Sequence, residues 1–202
     1  GRGPHLRVNK SSGSVDPAGG TTGLSVSRFS LLTGTFTAPS GTLAVGRTAA
    51  SETIFSVSAG CTFAPGSGTV SFSPPGNVTF GGDTFTVDVS AQPGASLTLN
   101  HVIVDPLTTS GAGAGYSRVT TAGKIVAAGN FTHTDGALAG TWEIQGHTVI
   151  GLSAKGGSAP ITFSGTNNQN YTDNGGAKTT ADLTVNKSGG ALKLLTAMTY
   201  NA

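Results

Sequence analysis

The stretch Leu183-Thr184-Val185-Asn186-Lys187-Ser188-Gly189-Gly190 opens in a way this chain has already used twice. The same beat stands at Leu6-Arg7-Val8-Asn9-Lys10-Ser11-Ser12-Gly13 and, more loosely, at Leu97-Thr98-Leu99-Asn100-His101, with separations of 91 and 86 residues. Two further landmarks recur at similar distances. The segment Gly34 to Gly46 reads as strand, tight turn, strand, and Gly129 to Gly140 follows the same plan 95 residues on. Asn77-Val78-Thr79-Phe80-Gly81-Gly82-Asp83 is echoed by Pro160-Ile161-Thr162-Phe163-Ser164-Gly165-Thr166, offset by 83. These spacings describe a degenerate unit of roughly 88 residues, at about 6–96 and 97–182, with a third begun at 183. Phe36 and Phe63, in matching contexts, are 27 residues apart. That is the length of one coil in a parallel β-helix, typically about 20–30 residues, so a unit would hold about three coils.

Local pattern supports strands. Leu24-Ser25-Val26-Ser27 alternates apolar with polar, the period of a half-buried strand. Val, Ile, Thr and Phe are frequent, and Gly, at 32 of 202 residues, joins Pro and Asn in breaking the chain at short intervals. Ala191–Met198 comes nearest to an amphipathic helix, and Gly189-Gly190 stands directly before it. One coil cannot bury its own apolar face, whereas stacked coils bury a continuous column. The expected inward set is Leu43, Val45, Phe63, Val70, Phe72, Val78, Phe80, Phe85, Val87, Val89, Leu97, Leu99, Val102, Val104, Ile144, Val149, Ile161, Phe163, Leu183 and Val185. Asn9, Asn100 and Asn186 hold one place in the beat, where an Asn side chain can bond its own backbone or its counterpart in the next coil. The fold expected is all-β, a parallel β-helix forming one elongated repeat domain over 1–202. The competing reading is a tandem of antiparallel β-sandwiches, 1–95 and 96–202, since a duplicated sandwich also repeats its strands.

The pairing of Ile161-Thr162-Phe163-Ser164-Gly165-Thr166-Asn167-Asn168-Gln169-Asn170-Tyr171 with Asp182-Leu183-Thr184-Val185-Asn186-Lys187-Ser188-Gly189-Gly190 resembles repeats of large bacterial secreted surface proteins. These are the filamentous-haemagglutinin and autotransporter-passenger adhesins. The resemblance extends in style over about 160 residues and is motif-like at 77–104 and 160–195. It implies a right-handed parallel β-helix and an extracellular, cell-surface role in adhesion, coats or fibres. It supplies no catalytic residues to carry over.

The residues themselves exclude several functions. A net charge of +2 is too small and too scattered for a nucleic-acid footprint; Arg2, His5, Arg7 and Lys10 read as a solvated end. No apolar run reaches the ~18 residues of a membrane span. Gly1 opens the chain and no leader is visible, so a processed or excised polypeptide is expected. Cys61 is single, which rules out an internal disulfide, and reads as a small buried hydrophobe. His5, His101, His133 and His147 lack metal-ligand spacing, and His133-x-Asp135 reads as turn chemistry before Gly136. No metal or other cofactor is expected. Ser110-Gly111-Ala112-Gly113-Ala114-Gly115 lacks the Lys of a phosphate loop and reads as an excursion from the stack. The nine acids stand singly, so the paired carboxylates of a glycosidase would have to come from neighbouring coils. Trp142 and Tyr116 are the candidate ligand contacts. Asn-x-Ser/Thr occurs at Asn9, Asn77, Asn130, Asn170 and Asn186, and Asn77, Asn130 and Asn170 are the candidate glycosylation sites.

The function expected is therefore structural and not enzymatic: a subunit or segment of a surface adhesin, coat or fibre that self-associates head to tail. The alternatives are a module binding surface glycans or a host surface, using Gly111–Gly115 and Trp142, and a polysaccharide-degrading β-helix enzyme.

Overall fold

The computed structural model describes residues 4–17, 21–46, 51–73, 82–106 and 116–198. It is all-β: the regular elements among these residues are eighteen strands and one short 3₁₀ turn at Pro93–Ala95. In chain order the strands are β1 (His5–Val15), β2 (Gly23–Val26), β3 (Arg28–Thr37), β4 (Thr42–Val45), β5 (Glu52–Val57), β6 (Thr62–Ala64), β7 (Thr69–Phe72), β8 (Thr84–Asp88) and β9 (Ser96–Leu99). They continue as β10 (His101–Val104), β11 (Arg118–Ala127), β12 (Phe131–Ile144), β13 (Thr148–Gly157), β14 (Ile161–Phe163), β15 (Gln169–Asp173), β16 (Ala177–Thr179), β17 (Leu183–Val185) and β18 (Leu192–Leu194).

Every pairing is parallel, and each joins a strand of one turn to a strand of the next. The antiparallel sandwich reading is therefore set aside. The strands stack on three faces. One carries β2, β4, β7, β10, then the first part of β12, the first part of β13, β15 and β18. A second carries the start of β1 and of β3, β5, β8, the start of β11, the middle of β12, the end of β13 and β16. The third carries the ends of β1 and β3 with β6, and then β9, the end of β11, the end of β12, β14 and β17. No ladder joins β6 to β9, and the 3₁₀ turn enters the chain there. Gln92 bridges the two coils at this break, its Nε2 donating to Ser58 O at 2.6 Å and Val57 O at 3.3 Å.

Columns of inward side chains follow from this register. On the first face one column reads Leu24, Leu43, Val70, Val102, Phe131, Thr148, Tyr171. On the third, Leu97, Ile125, Trp142, Ile161 and Leu183 stack in turn. The beats at Leu97 and Leu183 thus share one face, separated by four steps and not three, because the later coils are shorter. The Leu6 beat sits on another face, paired with Phe29. Phe36 does lie directly on Phe63, as their spacing suggested.

The early coils hold a cluster of rings. Phe29 stacks on Phe55 at 5.0 Å, and Phe55 meets Phe63 and Phe72 edge-on at 5.4 and 5.7 Å. Fully burying each such ring contributes ~1.5–3 kcal/mol. The described members of the expected inward set are buried, with three exceptions. Val149 points outward between the buried Thr148 and Ile150, Leu183 is half-buried, and Val185 is 59% exposed. Val78 and Phe80 lie outside the described residues. Tight corners rest on glycine. The strand β12 bends across all three faces at Gly136 (φ +69) and Gly140 (φ +77). A Cβ at Gly140 would fall 2.2 Å from Thr121 Oγ1, and one at Gly136 2.3 Å from Pro106 Cγ.

Candidate functional site

The corner between the third and first faces is built from polar side chains that reach across coils. Asn100 Nδ2 donates to Ser67 O at 2.7 Å, in the coil before. Asn130 N donates to His101 Nδ1 at 2.8 Å, His147 N to Asn130 Oδ1 at 3.2 Å, and Asn170 N to His147 Nδ1 at 3.0 Å. Ala191 N completes the run on Asn168 Oδ1 at 2.9 Å. Backbone donors that a bend leaves without a ladder partner are satisfied in this way. Asn100, in the second beat, thus bonds a neighbouring coil's backbone and not its own. Asn9 differs, accepting from Thr33 Oγ1 in the coil above. In the last beat Lys187 takes over. Its Nζ donates to Asn167 O at 2.9 Å and Gln169 Oε1 at 2.8 Å. The buried Gln169 passes the contact on through Nε2 to Ile144 O and Gly146 O.

The residues proposed for ligand contact separate. Trp142 is 1% exposed, packed against Phe131 at 5.6 Å, and its indole N–H donates to Ala139 O at 3.0 Å. It cannot stack on a sugar, because its register places it inside the third-face column between Ile125 and Ile161. Tyr116 is 54% exposed, with Lys155 Nζ 5.3 Å from its ring centre. Asn130 is exposed and Asn170 half-buried on β15. Gly111–Gly115 and Asn77 lie outside the described residues.

The acids that stood singly in the sequence do not all stay apart. Asp105 follows β10, and Asp135 lies in β12 one coil later, just past the paired Val104 and His133. Asp105's carboxyl is pushed above its ordinary range by burial and then by the charge of Asp135. His133 is buried, and its imidazole is lowered to about 4 by desolvation. Its Nε2–H donates to Gly136 O at 2.8 Å, while Gly136 N donates to Asp135 Oδ1 at 2.6 Å. The His-x-Asp pair thus serves the bend at Gly136, as turn chemistry requires. Two carboxyls brought near each other are the raw material of acid–base work on sugars, and adjacency across coils was the signal that spacing alone could not carry. Among the described residues no three His, Cys, Asp or Glu gather as a metal site.

At the last described coil the inward apolar positions change character. Leu183 and Leu192 are partly buried against the core, but Val185, Leu194 and Leu195 are 59, 51 and 50% exposed. Among the described residues the strands β16, β17 and β18 pair on one side only. No family model, curated protein or solved structure matches this chain. The chemistry of its surfaces is therefore the ground for any reading of function. Among the described residues no helix is long and apolar enough to cross a membrane.

Proposed function

We propose that this chain is a structural segment of an extracellular surface adhesin, coat or fibre, wound as a right-handed β-helix, whose coils associate head to tail. The carrying observation is the exposed apolar face of the last described coil. Val185 and Leu194 continue columns that are buried in the coils directly beneath them, at Phe163 and Ile144 and at Tyr171 and Thr148. The one-sided strands beside them offer backbone donors and acceptors to another coil. The partly buried Val15 and Leu24 of a second copy supply apolar side chains on the corresponding faces. Such a contact is heterologous and extends without closing. The right-handed winding follows the general preference of parallel crossovers. An exterior rich in Ser, Thr, Asn and Gly, with charged residues only 10% of the chain, suits an extended surface facing an outside medium. The resemblance to filamentous-haemagglutinin and autotransporter-passenger repeats supports the same reading.

Val185→Lys tests it at a position where a lysine is tolerated by the folded protein, since the side chain is already solvated. The unaltered protein is expected to sediment as longer particles with rising concentration, and Val185→Lys as a monomer with an unchanged circular dichroism spectrum. Equal sedimentation of the two proteins would remove the terminal coil from the assembly. The glycan-binding alternative now rests on Tyr116 with the neighbouring Lys155, and not on Trp142.

A further inference from the structure

Thr148 sits in the first-face column directly between Phe131 and Tyr171. A short branched side chain between two rings cannot fill the space that they hold open. A cavity of about 10 Å³ lies beside Thr148 on its Tyr171 side, walled by His133, Thr148, Ile150, Phe163, Tyr171 and Thr179 among others. Thr148 is 2% exposed, and among the described residues its Oγ1 is a buried hydroxyl with no protein group in hydrogen-bonding reach. A buried hydroxyl left unpaired is costly, and natural interiors pair such groups with protein or with ordered water.

We propose that this cavity is a binding site for one internal water molecule, held by the Thr148 hydroxyl. The volume is about what a single water needs and is too small for a larger ligand. A bound water needs two to four polar partners, and the residues that wall the cavity include His133, Tyr171, Lys178 and Thr179 beside Thr148. The site falls in the part of the stack whose interior changes from rings and aliphatics to polar groups. Along the neighbouring column the sequence is Phe72, Val104, His133, Ile150, Asp173. The water therefore belongs to this coil pair and completes its polar interior.

The near-isosteric Thr148→Val tests the proposal by sign. With a water in place, removing its hydroxyl partner strands it, and Tm is expected to fall by about 3 °C. In a dry cavity the same change deletes an unpaired polar group and Tm rises. The second measurement leaves the protein unmutated. A long-lived water is expected to give a nuclear Overhauser effect to the Thr148 methyl group. A raised Tm in Thr148→Val, or no such effect to that methyl, overturns the proposal.

Discussion

Trp142→Ala is expected to lower folding stability by about 3–5 kcal/mol, the cost of removing a large ring from a packed interior. For a chain of this size that corresponds to a fall in Tm of about 10 °C. The ring fills the third-face column, contacts Phe131, and satisfies Ala139 O through its N–H. Truncation leaves a void and removes the indole donor from Ala139 O. Trp142→Phe, which keeps most of the volume, should recover more than half of the loss. Urea denaturation followed by far-ultraviolet circular dichroism reads both variants. If Trp142→Ala matched the parent in stability, the side chain would have to lie on the surface, and the register of β12 would be wrong.

Acid should weaken the fold through His133 before the ordinary carboxylates titrate. Burial lowers this imidazole from 6.5 to about 4 in the folded state. Between those values the unfolded chain binds a proton that the folded chain refuses, so stability falls as pH falls. The loss begins near pH 6.5, grows toward pH 4 and levels off below it. Its ceiling is about 3 kcal/mol, from the free energy of ~1.4 kcal/mol per pH unit. Asp105 acts in the opposite direction, because a carboxyl raised in the folded state favours folding as it gains its proton. His133→Gln separates the two, since the amide N–H can still donate to Gly136 O but does not titrate. Between pH 7 and 4.5 the parent should lose more stability than His133→Gln. Parallel curves for the two proteins would show that His133 does not govern acid sensitivity.

The strand pattern was legible because apolar–polar alternation depends only on neighbours along the chain. Leu43, Val45, Val70, Phe72, Val102 and Val104 face inward as the alternation requires. At Thr148-Val149-Ile150 the same rule assigned the wrong phase. Val149 was the better hydrophobe, yet pairing with β12 turns Thr148 and Ile150 inward. Here the register of a neighbouring coil outweighed local hydrophobicity. The roughly 88-residue period hid the coil length, because coils of unequal length occur within it and corners absorb the difference. Trp142 could be placed only once its stacking partners, Ile125 and Ile161, were known. The approach of Asp105 to Asp135 and the chain of Asn and His contacts along one corner are likewise properties of vertical alignment. Residues 29 positions apart, such as Asn130 and His101, become neighbours only when the turn length between them is given.

The missing ladder between β6 and β9 makes the stack uneven under load. Elsewhere each coil is tied to the next by backbone hydrogen bonds on three sides, but at this junction two ties remain, with the Gln92 side chain in place of the third. A tensile force along the axis would part the stack first at that seam. The segments on either side would come away as intact blocks, extending the molecule without unravelling it.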